Sequence, residues 1–538
     1  MQQTNGGGTS VTNPTQTTAE SEANAVKRNI FRASMLLTAS VLLSRVIGFF
    51  REWILARVAG ASAVTDVYFS SFTIPNFLNY LMAAGALSAS FIPLLTSYRV
   101  NGQEELGKKV FRSLSTIIGL GMVVLVLFAE VLAGRLARVV EPGFTPDQLV
   151  LLTRLIRIIL PAQLFFYWGG FAIAVQQTHG KFLTTAIAPI VYNAGIIAFG
   201  LLLYRSQGIA GFSFGVLIGA IIAQGVIQLI GVRRLGYSAR PYFGLEPEIR
   251  DAIKRYLWLT FPIMLALSLV VTDEWISNYF ASYLEHRALT WLYYGRTVMR
   301  IPIAVLGQVA GIASYPYLSK MWNERHYDDF AKTLLREIEK LWAAAPVAAI
   351  LLVVHALPLI HFIYGGGKLS VADYRNTAAA LQMFSLGVFF WTVQVLLARG
   401  FYACQRTWLP SIIGTLLSAA FIPVYKYLML VLSFRGLALA GTLGIFTYTA
   451  ILWFFLRRHL KEHAPEFSFK PFYTFCGLWI GALVLIAAVA EGLYRAHLYQ
   501  GTRTSAALDL FVSTVVVGGI ALGLLRTVYQ RYTDGPLF

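Results

Sequence analysis

Charged residues are scarce in this chain of 538 residues, where Asp, Glu, Lys and Arg make up only 13% of the sequence. A soluble domain carries about 25% charged residues, so this scarcity excludes an ordinary soluble protein. Hydrophobic residues make up 57% of the chain, and its mean hydropathy is +0.62. Together these values predict an integral membrane protein.

Cysteines, nucleotide-binding motifs and long loops are also scarce or absent. The two cysteines, Cys404 and Cys476, stand apart in or beside apolar stretches, which argues against a disulfide framework or a metal site. The sequence contains no GxxxxGK[ST] stretch, and no predicted loop exceeds roughly 20 residues, which leaves no room for an ATP-hydrolysing or catalytic domain. We therefore expect a transporter rather than an enzyme, without a metal or cofactor. Transport would be driven by a Na⁺ or H⁺ gradient, by the membrane potential or by mass action of the substrate.

Acidic residues are outnumbered by basic ones, 26 against 44, which gives a formal net charge of +18. The basic residues cluster in short loops between apolar segments, which is a positive-inside distribution and not a nucleic-acid-binding surface. With the N-terminus inside, about 26 Lys and Arg fall on the cytoplasmic side and about 9 on the other. Both termini are therefore predicted to be cytoplasmic.

Apolar windows of about 20 residues divide the chain into fourteen predicted membrane segments. Their approximate spans are 33–59, 66–98, 110–133, 149–177, 182–204, 209–232, 254–281, 288–319, 338–363, 376–404, 408–432, 436–457, 471–494 and 505–529. The N-terminal stretch is rich in Gln, Thr, Asn, Gly and Ser, and we expect a disordered cytoplasmic tail over residues 1–32.

A repeat relates the two halves of the chain. Ile74-Pro75 is followed by Phe91-Ile92-Pro93-Leu94 in the first half, and Ile301-Pro302 is followed by Ser314-Tyr315-Pro316-Tyr317 in the second. Six segments separate the copies, so both copies cross the membrane in the same direction and form parallel pseudo-symmetric repeats.

The repeat predicts the domain organisation. We expect a six-helix N-lobe at residues 33–235, a six-helix C-lobe at 250–460, and two additional helices at 471–530. Transporters built from such repeats bind the substrate between the lobes, near the middle of the membrane.

Arginines inside predicted segments are the main functional signal, because a charge near mid-bilayer costs a few kcal/mol unless it faces a polar cavity or a partner. Arg45 and Arg51 lie in segment one, and Arg296 and Arg300 share one face of segment eight at i, i+4 spacing. The planar guanidinium suits phosphate oxygens and stays charged when desolvated. The pattern predicts a cationic cavity for a phosphate or diphosphate, with structural ion pairs as the alternative.

Other charges within the segments leave two interpretations open. Asp66 begins segment two and is either part of a gate or a structural partner of an arginine in segment one. Asp273 and Glu274 lie inside segment seven, where they would bind a coupling cation such as Na⁺ or H⁺, or balance nearby arginines. The remaining cations within segments, each able to reach an interface, are Arg154, Arg157, Arg399 and Lys426.

Several motifs resemble one family of membrane transporters. They begin with SRVIGFFRE (44–52), TDVYFSSFTIPNFL (65–78) and GALSASFIPLL (85–95). They continue with LIRIILPAQLF (155–165), HGKFLTTAIAPIVYNAGI (179–196), FIYGGGKLSVADYRNTAAAL (362–381) and LLARGFYACQRTWLP (396–410). This set is similar to the MurJ/MviN lipid II flippases, within the multidrug/oligosaccharidyl-lipid/polysaccharide exporter superfamily.

The resemblance implies a V-shaped transporter of fourteen helices in the bacterial inner membrane. Its substrate would be lipid II, the undecaprenyl-diphosphate-linked peptidoglycan precursor, moved from the cytoplasmic to the periplasmic leaflet by alternating access. Arg45, Arg51 and Asp66 would occupy the positions of the family's essential first-lobe charges. Implied partners are membrane lipids and cell-wall synthesis proteins, with no nucleic acid, and the protein would be a monomer.

The sequence departs from the family pattern at a few positions. Asn79 and Tyr80 stand where the family usually has an arginine pair, and the stretch 82–86 lacks the family's glutamate. Arg300 stands where an acidic or amide residue is common, so we hypothesise that it replaces a cation lost from segment two.

These departures leave other functions to weigh. The nearest is a flippase for another polyprenyl-linked glycan, such as an O-antigen or exopolysaccharide unit. A cation-coupled drug exporter would need an acidic cavity, and a membrane-embedded glycosyltransferase would need acidic residues and a sizeable catalytic loop. A non-transporting scaffold of cell-wall synthesis would tolerate neutralisation of the arginines.

Overall fold

The computed structural model describes residue 40 and residues 43–83, 91–244, 246–265, 269–496 and 498–530. Within these ranges the chain consists of helices and short connections, and no described residue lies in a β-strand. The prediction of an all-α protein is confirmed. The predicted tail at 1–32 and most of the glutamate-lacking stretch 82–86 lie outside the described residues.

The helices of the first half are often interrupted within one predicted segment. In chain order they are α1 (43–59), α2 (Ala63–Ser70), α3 (Thr73–Ala83), α4 (Ile92–Val100), α5 (Glu104–Val140), α6 (Pro146–Ile159), α7 (Ala162–Thr178), α8 (Leu183–Gln207), α9 (Ala210–Ala220) and α10 (Ile227–Arg233). A π-helical turn, Ile221–Val226, connects α9 and α10. Pro161 separates α6 from α7, as expected of a residue that cannot donate a backbone hydrogen bond.

The second half continues the same pattern. Its helices are α11 (Pro247–Leu265), α12 (Leu269–Ala281), α13 (Ala288–Pro302), α14 (Gln308–Asn323), α15 (Tyr327–Val354), α16 (Ala356–Tyr364), α17 (Val371–Ser385), α18 (Val388–Ala403), α19 (Trp408–Leu432), α20 (Phe434–His463), α21 (Lys470–Arg495) and α22 (Arg503–Gln530). A second π-helical turn, Ile303–Gly307, follows Pro302. Chain direction also changes at two broken spans, by 77° between α15 and α16 and by 44° between α17 and α18.

Eight helices or continuous helix pairs of the described chain are long and apolar enough to cross a membrane, or ten if each bent pair is counted as one span. The chain is thus a multi-pass membrane protein. The remaining predicted segments are one, two, seven and eight. The first three include residues outside the described ranges, and segment eight is divided between α13 and α14. The number fourteen, the lobe boundaries and the orientation of the termini stay predictions.

Glycines bring α8 and α9 into close contact. A Cβ atom built at Gly215 would lie 2.8 Å from the Ile196 carbonyl oxygen, and one built at Gly219 would lie 2.9 Å from the Tyr192 carbonyl oxygen. Small residues at such an interface allow two membrane helices to pack backbone against backbone. The α8–α9 hairpin is therefore tightly packed.

The two C-terminal helices pack on the second half of the chain. Helices α21 and α22 contact each other, and both also contact α15, while α22 contacts α16. A buried hydrogen bond of 2.8 Å joins His355 Nδ1, at the 77° bend, to Asp509 Oδ2 of α22. The bend between α15 and α16 is therefore anchored to the last helix.

The two halves meet along one boundary, which we call the seam. At its predicted periplasmic end, the Arg57 guanidinium donates to the carbonyl oxygens of Gly365 and Gly366, each at 3.3 Å. The Gly143 amide donates to Ser282 Oγ at 3.1 Å. Helices α2 and α13 also pack together here. The halves are thus in contact at the predicted periplasmic side of the seam.

Candidate substrate site at the seam

Arg51 and Glu52 form an ion pair on α1, at the seam. Arg51 Nε donates to Glu52 Oε1 at 3.1 Å, and Arg51 Nη1 donates to Asn193 Oδ1 of α8, also at 3.1 Å. The Arg51 side chain is 23% exposed and that of Glu52 only 6%. The guanidinium is therefore held by two partners but keeps an open side.

Tyr293 of α13 connects this pair to the second half. Its hydroxyl donates to Glu52 Oε1 at 3.2 Å, and its ring stacks on Phe69 of α2 with 3.7 Å between ring centroids. The neighbouring Tyr294 donates to the Gly60 carbonyl oxygen at 3.2 Å. On α13, Tyr293 stands three residues before Arg296. Tyr293 thus lies between the two predicted arginine sites.

Arg296 of α13 is buried in an ion pair. Its Nη2 lies 3.2 Å from Asp273 Oδ2 of α12, and its guanidinium lies 4.9 Å from the ring centroid of Phe384. The other Asp273 oxygen accepts a hydrogen bond from the Tyr425 hydroxyl. Both side chains of the ion pair are 6% exposed. Protein groups therefore engage both oxygens of Asp273, and Arg296 faces Asp273 rather than open space.

Arg300 lies one helical turn further along α13 and is much more accessible. Its Nη2 donates to Glu274 Oε2 at 2.6 Å, and its side chain is 53% exposed. The same Glu274 oxygen lies 3.9 Å from Arg296 Nη1. The i, i+4 spacing predicted a shared helix face for the two arginines, and a shared carboxylate confirms it. Arg300, unlike Arg296, is exposed enough to contact a bound anion.

Asp66 binds the start of α13 instead of an arginine of α1. Ser62 and Thr65 form a reciprocal cap at the beginning of α2, which fixes the position of the next residue, Asp66. Asp66 Oδ2 accepts from the Arg287 amide at 2.6 Å, and Oδ1 accepts from the Thr290 amide at 2.8 Å and from the Thr290 hydroxyl at 2.5 Å. Because α13 has no cap from its own preceding side chain, Asp66 supplies one from the other half.

The other predicted cations lie in different settings. Arg45 is exposed on α1. Arg154 donates to Gln207 Oε1 at 2.7 Å, and Arg157 donates to a backbone oxygen of α5. Arg399 lies 5.6 Å from the Tyr315 ring centroid, and Lys426 lines an apolar groove. Within the described ranges, Arg154, Arg157, Arg399 and Lys426 form no hydrogen bond or ion pair with the groups around Tyr293.

Neutral polar residues of the site were not predicted. Asn193, Thr290 and Tyr425 hold Arg51, Asp66 and Asp273 respectively. For Tyr293 a weak signal existed, because Tyr293-x-x-Arg296 resembles a Tyr-x-x-Arg motif that MurJ/MviN flippases carry in segment eight. The others carry no local signal, since asparagine, threonine and tyrosine are common in membrane helices for packing alone.

One group among the described residues has the geometry of a metal site. Ligand atoms of His459, Glu462 and His463, at the end of α20, lie within 4.8 Å of one another. Glu462 also lies 3.7 Å from Arg458, which competes for its carboxylate. These residues belong to none of the seam contacts.

Comparison with known proteins decides the family. The family model described as lipid II flippase MurJ matches residues 55–516, which is most of the chain. The chain belongs to the MurJ family. A MurJ relative from Burkholderia cenocepacia, named lipid II flippase MurJ, is 28% identical over 78% of this chain and 83% of its own length. A relative from Vibrio cholerae, named probable lipid II flippase MurJ, is 26% identical over 80% and 83%.

Solved structures agree with the MurJ fold. A lipid II flippase MurJ in an inward closed conformation superposes with a TM-score of 0.77 at 20% identity, covering 92% of this chain and all of that one. An inward-facing multidrug resistance transporter of the MOP superfamily gives a TM-score of 0.66 at 14% identity, covering 82% of this chain. The family model confirms the predicted family, the solved structures show the same fold, and the prediction of a transporter rather than an enzyme agrees with the names of MurJ proteins.

Proposed function

We propose that this protein flips lipid II from the cytoplasmic to the periplasmic leaflet of the bacterial inner membrane by alternating access. The observation that carries the proposal is the match to the lipid II flippase MurJ family over residues 55–516. The seam gives further support, because it gathers arginines of both halves around Tyr293. Membrane lipids, and cell-wall synthesis proteins acting with a monomeric flippase, are the proposed partners.

The substrate diphosphate would be held by Arg45, Arg51 and Arg300, which are the exposed or partly exposed arginines among the predicted binding residues. Glu52 and Glu274 pair with Arg51 and Arg300, which lowers the cost of keeping charge within the membrane. A diphosphate would displace these carboxylates, since it offers several oxygens to each planar guanidinium. Arg296 would act as a positioning residue that fixes Asp273 and Glu274.

Transport would be driven by the membrane potential rather than by a cation bound at Asp273. Arg296 and Tyr425 engage both oxygens of Asp273, which supports an internal pairing role for that carboxylate. Outward movement of a polyanion is favoured by an inside-negative potential, by about 2.3 kcal/mol per charge per 100 mV. A Na⁺ or H⁺ site that includes Glu274 is the alternative form of coupling.

Complementation tests the proposal. Bacteria depleted of their own lipid II flippase would receive the intact protein, Arg45→Ala, Arg51→Ala or the matched control Arg154→Ala, with membrane levels measured in parallel. We expect growth with the intact protein and with the control, and no growth with the other two variants. Growth with all variants would argue against the arginine mechanism and favour a scaffold. Failure of a well-inserted intact protein would contradict lipid II transport.

A flippase for another polyprenyl-linked glycan is the second candidate. The specific observation in its favour is Asn79 and Tyr80, which stand where the family resemblance gave an arginine pair. Rescue of a strain depleted of an O-antigen or exopolysaccharide flippase, without rescue of the lipid II strain, would select this function.

A further inference from the structure

A large apolar groove lies across the seam, separate from the ion pairs around Tyr293. Its volume is about 1460 Å³, which exceeds the ~300–1,000 Å³ of ordinary small-molecule sites. Helices α3 and α5 of the first half form one wall, and α12 and α19 of the second half form the other. The groove therefore has room for a long hydrocarbon chain and changes shape whenever the halves move.

The walls of the groove suit hydrocarbon. Phe128 and Leu430 are 61% and 71% exposed, and their partners along the groove are largely apolar or aromatic. Phe77 of α3 contacts Trp275 of α12 edge to face, with 5.4 Å between ring centroids, so an aromatic pair bridges the two walls. Within the membrane an apolar groove is filled by hydrocarbon, either a bilayer acyl chain or the chain of a bound lipid.

Lys426 adds a single cation to this apolar surface. It lies on α19, is exposed and lines the groove, and within the described parts of the chain it forms no ion pair or hydrogen bond. An ammonium group at the edge of an apolar groove is complementary to a lipid that joins a hydrocarbon chain to a phosphate. The groove lies in the half of the membrane that the predicted topology assigns to the periplasmic leaflet.

We propose that this groove holds the polyprenyl chain of the transported lipid as it leaves the seam, with Lys426 beside the diphosphate. This inference rests on the proposed function. The polyprenyl substrate fits better than a resident phospholipid because the groove belongs to both halves. A site on one half would retain its lipid through a transport cycle, whereas a site shared by two moving walls binds and releases it.

Photo-crosslinking in membranes tests which lipid occupies the groove. The full chain would carry p-benzoylphenylalanine in place of Phe77, which is 38% exposed in the groove, or of Phe446, which is 46% exposed on α20 and outside it. After illumination, mass spectrometry would identify the attached lipid. We expect polyprenyl diphosphate adducts at least tenfold more abundant at position 77. Phospholipid adducts alone at position 77, or equal polyprenyl adducts at both positions, would overturn the proposal.

The headgroup of the adduct separates the two proposals. A polyprenyl diphosphate bearing a different glycan would leave the groove assignment intact while contradicting lipid II as the substrate. Conversely, successful complementation together with phospholipid adducts alone would contradict only the groove assignment.

Lys426 provides an independent test with purified protein. Binding of undecaprenyl diphosphate would be titrated against the intact chain, Lys426→Gln and Lys426→Arg, with Arg435→Gln at the start of α20 as the matched control. We expect about tenfold weaker binding for Lys426→Gln, because a charge-assisted contact is lost, and near-normal binding for the other two variants. Unchanged binding in Lys426→Gln would show that the cation does not contact the diphosphate.

Discussion

Three arginines of the seam each form an ion pair with a carboxylate, but their surroundings differ. Arg296 and Asp273 are almost fully buried, whereas Arg300 is 53% exposed. Breaking a buried pair leaves one charge without compensation, while an exposed pair contributes little to stability. Neighbouring arginines on one helix face therefore have separable roles, one in holding the fold and one in contacting an anion.

Neutralising Arg296 should destabilise the protein. We expect Arg296→Gln to lower the free energy of unfolding by about 3 kcal/mol, because Asp273 would remain buried and charged without its partner. Thermal unfolding in detergent would measure the change. Arg300→Gln is the control and should unfold near the wild-type temperature. If the double variant Arg296→Gln/Asp273→Asn is no more stable than Arg296→Gln alone, the unpaired charge is not the cause.

Neutralising Arg300 should affect transport instead. We expect Arg300→Gln to reduce flipping in proteoliposomes by about tenfold, because one exposed cation for the diphosphate is lost. Arg300→Lys should retain part of the activity, since it keeps the charge but not the planar fork. Full activity in Arg300→Gln would also reject the hypothesis that Arg300 replaces the cations missing at positions 79 and 80.

The charged residues of the site could be found from the sequence, and most of their partners could not. An arginine in an apolar segment is conspicuous because of its cost, and Arg51, Arg296 and Arg300 do lie at the seam. The partner of Asp66 is the backbone of residues 287 and 290, to which no side-chain pattern points. Such a contact depends on how the halves pack, which local sequence does not encode.

Helix α13 carries several of the described contacts between the halves. It carries Tyr293, Arg296 and Arg300, and its first turn is capped by Asp66 of α2. Uncapped amides at a helix start require water or another acceptor. If the halves separate at this end, these amides lose their acceptor and need water instead. Asp66 therefore acts as a latch, a contact that must break before the halves can separate.

Removing the charge of Asp66 should open this latch. We expect Asp66→Asn to populate conformations separated at the predicted periplasmic end, because the neutral amide is a weaker acceptor for first-turn amides. Spin labels at Val64 and Glu285, in a chain with both cysteines replaced by alanine, would report the distance. Asp147→Asn, an exposed first-turn substitution on α6, is the control. An unchanged distance distribution in Asp66→Asn would contradict the latch.

The bend between α15 and α16 depends on a contact with α22. We expect Asp509→Asn to lower the unfolding temperature, with a loss of about 2 kcal/mol, because the buried His355 loses a charged acceptor. The control is Glu491→Gln, which breaks an exposed i, i+4 pair with Arg495 on α21. Equal stability of the two variants would mean that the bend does not depend on this hydrogen bond.

Apolar windows predicted where most helices lie, but they did not predict where a helix is interrupted within a segment. The window that predicted segment nine at 338–363 includes the 77° bend at His355, and nothing in its apolar pattern marks that residue. Proline explains some breaks, such as the one at Pro161, where a backbone donor is missing. The bend at His355 also has a proline beside it, because Pro358 lies four residues after Val354, the last residue of α15. The hydrogen bond to Asp509, 154 residues away, adds a tertiary contact that no local pattern predicts.

For the whole molecule, the internal pairing of charges bears on the source of energy. We expect flipping in proteoliposomes to fall when the membrane potential is collapsed with a K⁺ ionophore, and to persist when Na⁺ is replaced by K⁺ on both sides. The reason is that Asp273 already pairs with Arg296, while a polyanion responds to the potential. Loss of flipping on Na⁺ removal at constant potential would contradict this prediction.

The sequence predicts the overall architecture better than it predicts the number of membrane-spanning helices. Hydropathy and motif resemblance led to an all-helical membrane protein of the MurJ family, because both depend on the whole chain. The described residues contain eight to ten spans that are apolar and long enough to cross a membrane. The predicted segments 33–59, 66–98 and 254–281 each include residues outside the described ranges, so their crossing of the membrane stays a prediction.

The glycine-packed hairpin of α8 and α9 also has a practical use. Because the backbones touch near Gly215 and Gly219, one helix cannot slip along the other without a clash. A fluorophore attached to an exposed residue at the end of α8, for example Ser206, would therefore move together with the first half. In single molecules, the orientation of the fluorophore would report rotation of that half. The time between successive rotations would give the duration of each transport cycle.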